Sequence, residues 1–184
     1  MLNNLILVLW FFLPAGIANA TPVFTMHMPF LKKYNYQIDC YKTYKGIRIF
    51  GDHKSWRGLI TGILMAIITA YIQQQIYLNT PSLRDMLNFD FGSINPIIYG
   101  FLAGFGALMG DAIKSFFKRR TNIKPGNTWF PFDQIDYIIG GIIFLFPYIR
   151  LSFFDYVLTF CVWFGMHLIS TYVGFLLKLK DKPI

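Results

Sequence analysis

Glutamate is missing from this sequence: all nine acidic side chains are aspartates. Charge of either sign is scarce, at 14% of residues, against about 25% in soluble domains. That scarcity excludes an ordinary water-facing globule. Cysteine is rarer still. Cys40 and Cys161 are far apart, lack metal-like spacing, and one of them lies in an apolar run. A disulfide framework and a cysteine zinc site are thereby excluded. His27, His53 and His167 form no His-x-x-x-His pair. Internal repeats and low-complexity tracts are also absent, so residues 1–184 are read as one domain.

What fills the chain instead is apolar: 55% of residues are hydrophobic and 19% aromatic. The expected fold class is an all-α integral membrane protein. Five apolar segments can be marked, Leu5–Phe24, Gly58–Leu78, Ile94–Met109, Ile135–Ile149 and Phe154–Leu177. A helix needs roughly 20 residues to cross about 30 Å of hydrocarbon, so the shorter ones must extend into their flanks. Pro14 interrupts the first, and a neighbouring helix must then satisfy the backbone group it frees.

The bases orient these spans. Seven Lys/Arg lie between the first and second segments, five between the third and fourth, and three in the tail, leaving only Arg84 and Arg150 for the other side. The 15-to-2 division predicts both large loops inside the cell. The first segment also ends in Ala18-Asn19-Ala20, which is similar to a signal-peptidase site. Its start lacks basic residues, and cleavage would put the clustered bases outside; a retained span is expected. In a soluble domain a net charge of +8 would suggest nucleic acid. Beside spans it suits anionic headgroups or a nucleotide, and no nucleic-acid partner is expected.

The informative charges lie between the third and fourth segments. Asp111, Ser115 and Lys118 stand at i, i+4 and i+7, with Lys114 and Arg119 flanking and Arg120 following. On a continuing helix they form one stripe. The stripe offers a carboxylate for Mg²⁺, a hydroxyl for a phosphate oxygen and cations for negative charge. A solvated basic helix end with an internal Asp–Lys pair would look the same. Asp133 and Asp136 sit at i and i+3, so both can reach one metal from a helix start. Capping explains Asp133 as well, but not Asp136, which leads straight into apolar sequence. Charge so near hydrocarbon needs a partner or a metal. Between them, Lys124-Pro125-Gly126-Asn127 is a turn that lets Lys124 project towards the acids. Ahead of the second segment, Gly51-Asp52-His53-Lys54-Ser55-Trp56-Arg57-Gly58 could contact a phosphate and a base or headgroup. Interface anchoring by Trp56 and Arg57, with Asp52 capping the helix, is the structural alternative. His167 stands mid-span, where a bond to another helix is the commoner role.

Taken together these blocks resemble the CDP-archaeol synthases. The likeness also includes Leu13-Pro14-Ala15 and Ala18-Asn19-Ala20-Thr21-Pro22-Val23, together with Ile123-Lys124-Pro125-Gly126 and Pro131-Phe132-Asp133-Gln134-Ile135-Asp136. The related CDP-diacylglycerol synthases carry His-Gly-Gly where this chain has Trp129-Phe130-Pro131-Phe132. Ser55 replaces a common threonine, and Thr171 stands where asparagine is expected. The resemblance implies that CTP and a lipid phosphate give a CDP-lipid and pyrophosphate at the cell membrane, in a polar cavity on the cytoplasmic side. It implies Mg²⁺ on Asp111, Asp133 and Asp136, with Lys118 and Lys124 catalytic. Substrate contacts would come from His53, Lys54, Ser55, Arg57, Ser115, Arg119 and Arg120. The implied lipid is an isoprenoid glycerol ether phosphate; a diacyl phosphate is the alternative. A CDP-alcohol phosphotransferase would need a longer aspartate series than is present. A small non-enzymatic lipid-binding or transport protein would place its polar groups nearer the midplane.

Overall fold

The computed structural model describes residues 1–51, 53–121, 123 and 127–176. Among these residues seven helices form: α1 (Leu2–His27), α2 (Pro29–Lys32), α3 (Trp56–Asn79), α4 (Pro81–Met86), α5 (Pro96–Arg120), α6 (Phe132–Leu145) and α7 (Phe153–Leu176). A two-stranded antiparallel hairpin, β1 (Thr43–Tyr44) and β2 (Ile47–Arg48), lies between α2 and α3. By length and composition α1, α3, α5 and α7 can each cross a membrane.

The expected fifth span is the one that differs. Residues 135–149 do not extend as a helix; α6 has 14 residues, about 21 Å at 1.5 Å per residue. That falls short of the ~30 Å hydrocarbon thickness. Pro147 gives the reason, since it cannot supply a helical N–H and constrains the residue before it. The chain turns there, with the N–H groups of Tyr148 and Ile149 both donating to the Leu145 carbonyl (3.0 and 2.8 Å). Among the described residues, four helices therefore have the length of a span, and the fifth expected one is a shorter apolar helix packed beside them.

Where lipid surrounds the helices, backbone groups must be satisfied by protein. Pro14 leaves the Trp10 carbonyl without its helical donor, and Gln73 Nε2 of α3 supplies one at 2.8 Å. Tyr99 donates to the Phe11 carbonyl at 2.6 Å, and Trp163 Nε1 to the Val8 carbonyl at 3.1 Å. These bonds tie α1 to α3, α5 and α7 around a core of Phe11, Phe12, Tyr99, Ile138 and Leu145, all essentially inaccessible. At the start of α7, Ser152 and Asp155 cap each other reciprocally (2.6 and 3.1 Å), and Asn4 of α1 donates to the same carboxylate at 3.0 Å.

The loop before α3 is built, not slack. Asp39 is the organiser: its fully buried carboxylate accepts from Arg48 Nη2 at 2.6 Å and from the N–H groups of Tyr41 and Phe50, both at 3.1 Å. Lys45 and Gly46 have φ of 53° and 76°, the pair of left-handed residues a tight hairpin turn requires. Arg120 at the end of α5 fastens the hairpin, donating from Nη1 to the carbonyls of Arg48 (3.0 Å) and Ile49 (2.9 Å).

Burial works against the Asp39 charge, but Arg48 and the surrounding N–H groups outweigh it and hold its pKa below the ordinary value. A carboxyl depressed on folding stabilises the fold above its unfolded pKa, about 4, and loses that contribution as pH falls through the folded value. Asp39→Asn should therefore cost about 2–3 kcal/mol at neutral pH. The gap from wild type should narrow below about pH 4. Thermal melts across that range check both, and an equal gap at every pH would contradict the assignment.

Candidate active site

Close approach of α5 and α6 creates the site. Gly110 and Gly140 face each other so tightly that a Cβ at Gly110 would lie 2.2 Å from the Asp136 carbonyl oxygen and 3.1 Å from Gly140 Cα. At that spacing the acids of both helices share one volume. Asp111 and Lys114 come from α5, Asp133 and Asp136 from the first two turns of α6.

Lys114, placed by spacing at the edge of the stripe, is the centre. Its Nζ lies 2.7 Å from Asp133, 3.0 Å from Asp136 and 3.3 Å from Asp111. Lys118 pairs with both oxygens of Asp133 (2.6 and 2.9 Å), and the Trp129 N–H donates to that carboxylate at 2.6 Å. Asp136 Oδ1 accepts from the Tyr137 N–H at 2.6 Å. Lys54 arrives from the loop before α3 and ion-pairs with Asp111. Three carboxylates thus meet three ammonium groups, and every one of these side chains is at most 21% exposed. Among the described residues, no three acids, histidines or cysteines stand close enough together to hold a metal ion as they are placed.

Beside this ring a cavity of about 160 Å³ opens between α1, α3 and α5. His53, Lys54, Ser55 and Asp111 line its polar side, and Pro22, Leu59, Leu108 and Met109 its apolar side. A polar wall against an apolar one suits a molecule with a charged head and a hydrocarbon tail.

Sequence-expected residues divide into three groups. Asp111, Asp133, Asp136, Lys118 and Lys54 come together in the ring, while His53 and Ser55 reach the cavity. Ser115, Arg57, Arg119 and Arg120 are engaged elsewhere, and Ser55 partly so. Ser115 donates to the Asp111 carbonyl at 2.9 Å, a helical back-bond rather than a free hydroxyl. Ser55 caps α3, accepting from the Gly58 N–H at 3.3 Å. Arg57 donates to the Leu31 carbonyl at 3.2 Å, a bond that ties the loop to the start of α3. Arg120 holds the hairpin and lies 3.7 Å above the Phe116 ring. Arg119 packs over Gly51, whose φ of +90° suits glycine; its Nε and Nη1 are buried without hydrogen bonds. Lys124 and Asp52 lie outside the described residues. Asp39 was not singled out by sequence, although an acid set among the bases of this loop is the signal that marks it. The two carboxylates of α6 are not N-cap residues: Pro131 occupies that position, and no side chain caps it.

Comparison with known proteins gives the family. The family model described as CarS-like CDP-archaeol synthase matches residues 1–184. The chain belongs to the CDP-archaeol synthase family. Proteins called CDP-archaeol synthase from Thermococcus onnurineus and Pyrococcus furiosus are 32% and 33% identical to it. The first match covers 99% of this chain and 98% of the relative, the second 95% of each. A solved structure described as an intramembrane enzyme for archaeal membrane lipids biosynthesis aligns with a TM-score of 0.66 at 25% identity, over 88% of this chain and 90% of that one. Membership makes this chain a multi-pass membrane enzyme, a CTP-dependent cytidylyltransferase of lipid biosynthesis.

Proposed function

We propose that this chain transfers CMP from CTP to the phosphate of an isoprenoid glycerol ether lipid, with Mg²⁺, at the cytoplasmic face of the membrane. The observation that carries the reading is the buried Asp–Lys ring next to a cavity lined by a few polar groups and many apolar ones. A phosphoryl transfer demands little covalent chemistry from the protein; it demands positioning and charge stabilisation. Lys54 and Lys118 project ammonium groups into the region where a triphosphate and a lipid phosphate would meet. The lipid phosphate is already anionic, so no strong general base is needed. Its oxygen attacks the α-phosphorus, the bond from that phosphorus to the bridging oxygen breaks, and pyrophosphate departs with the bonding pair.

Asp111, Asp133 and Asp136 would hold a hard divalent cation: their oxygens surround Lys114 Nζ at 2.7–3.3 Å and would draw in to the roughly 2.1 Å of Mg²⁺ ligation as the ammonium leaves. Bound there, Mg²⁺ would supply charge neutralisation for the phosphate oxygens. The cytoplasmic side is supported by the crowding of bases into the two large loops, and CTP is available there.

Purified protein given CTP, Mg²⁺ and a panel of isoprenoid and diacyl lipid phosphates should release pyrophosphate, fastest with an isoprenoid ether phosphate. Asp133→Asn should lower kcat/KM by about a hundredfold or more. No release with any lipid, or equal release from the variant, refutes the catalytic reading. Labelling of introduced cysteines around residue 118 from outside intact cells would refute the sidedness.

A further inference from the structure

Among the described residues the ring holds three carboxylates and three ammonium groups, so its formal charges cancel before any metal or nucleotide enters. Lys114 is the member all three acids share. Asp136 Oδ2 has Lys114 as its charged partner, while Asp111 and Asp133 each have a second lysine. An ammonium 2.7–3.3 Å from three carboxylates stands where a divalent ion bound by those carboxylates would have to stand. Two cations cannot share that point. An added divalent ion alone would also leave the ring doubly positive in a poorly hydrated place, which is costly. A metal arriving with the negative charge of a triphosphate removes both obstacles. The phosphates give the displaced ammonium groups new partners as the carboxylates turn to the metal.

We propose that Lys114 is a resident counter-ion: it keeps the three aspartates gathered in the free protein, excludes free divalent metal, and moves from carboxylates to phosphates when metal and nucleotide enter together. This rests on the function proposed above, but its test is separable. Lys114 is accordingly a positioning residue that sets the order of binding.

The test is Mn²⁺ titration of the full-length protein in detergent without nucleotide, read by electron paramagnetic resonance. Wild type should bind free Mn²⁺ weakly. Lys114→Gln and Lys114→Met should bind it at least about tenfold more tightly, about 1.4 kcal/mol. Lys45→Met, which removes an equal charge from the exposed hairpin turn, should leave the affinity unchanged. Melting in a chelator should be depressed in the Lys114 variants and restored by Mn²⁺ by more degrees than in wild type. A merely structural lysine would not yield a gain in metal affinity. The proposal is overturned if the Lys114 variants bind Mn²⁺ no more tightly than wild type, or if they stay unfolded with Mn²⁺ present. Absent pyrophosphate release from wild type, by contrast, strikes the functional reading and leaves the Mn²⁺ result to be judged by itself.

Discussion

Gly110→Ala should lower pyrophosphate release by about a hundredfold or more while leaving a folded membrane protein. The added Cβ would sit 2.2 Å from the carbonyl oxygen of Asp136 and 3.0 Å from its carbonyl carbon. Those are backbone atoms, so no rotamer change relieves the overlap. Restoring ordinary contact means parting α5 and α6 locally by about 1 Å or more. Asp111 follows Gly110 directly, and Asp136 owns the carbonyl that is struck, so the separation falls on the acids themselves. A displacement of about 1 Å in a positioned site costs on the order of a hundredfold in rate. Overpacking costs only about 1–3 kcal/mol of stability, which a four-span core can absorb. Two controls separate the causes. Gly106→Ala meets the Gly140 carbonyl at 2.7 Å one turn farther from the acids and should match the stability loss with a smaller loss of turnover. Gly165→Ala has nothing within 4 Å and should change neither. Wild-type turnover from Gly110→Ala would sink the idea that helix spacing sets the acid geometry.

How far the sequence could be read follows from the same spacing. Aspartates and lysines stand out in an apolar chain, so Asp111, Asp133, Asp136 and Lys118 were legible as a group before any helix was placed. Their common partner was not. The i, i+3 relation between Asp111 and Lys114 is visible, but the convergence of Asp133 and Asp136 on Lys114 depends on the depth at which α6 packs, and hence on Gly110 and Gly140. Ser115, Arg57 and Arg120 show the converse limit: each residue type suits phosphate, yet their observed partners are backbone carbonyls brought close by the fold. Hydropathy marked residues 135–149 as a span because it measures apolarity, whereas Pro147 decides where the helix stops. The hairpin escaped notice because strands of two residues carry no usable alternation. Its Lys45-Gly46 turn and the buried Asp39 are what make it.

Asp111→Asn should lower kcat by about a thousandfold, close to 4 kcal/mol of transition-state stabilisation, whereas Lys54→Met should mainly raise KM. The two residues pair with one another but do different work in the proposed site. Lys54 belongs to the cavity wall as well, so losing it weakens substrate binding while Asp111 keeps Lys114 as a partner at 3.3 Å. Losing the Asp111 charge removes a carboxylate that would hold metal and also leaves Lys54 without its counter-charge. Residues in contact do not add, and the loss in Lys54→Met set against that in Asp111→Asn identifies which role dominates. Were Asp111 only a tether for Lys54, each single variant and the double would show the same loss. With Asp111 acting on the reacting phosphates, the double should fall within about 0.5 kcal/mol of Asp111→Asn alone, because an unpaired Lys54 has already lost its place. Steady-state kinetics of the three variants at saturating and limiting CTP distinguish these outcomes. Turnover of Asp111→Asn within tenfold of wild type would remove Asp111 from the chemistry and leave it as an anchor for the loop.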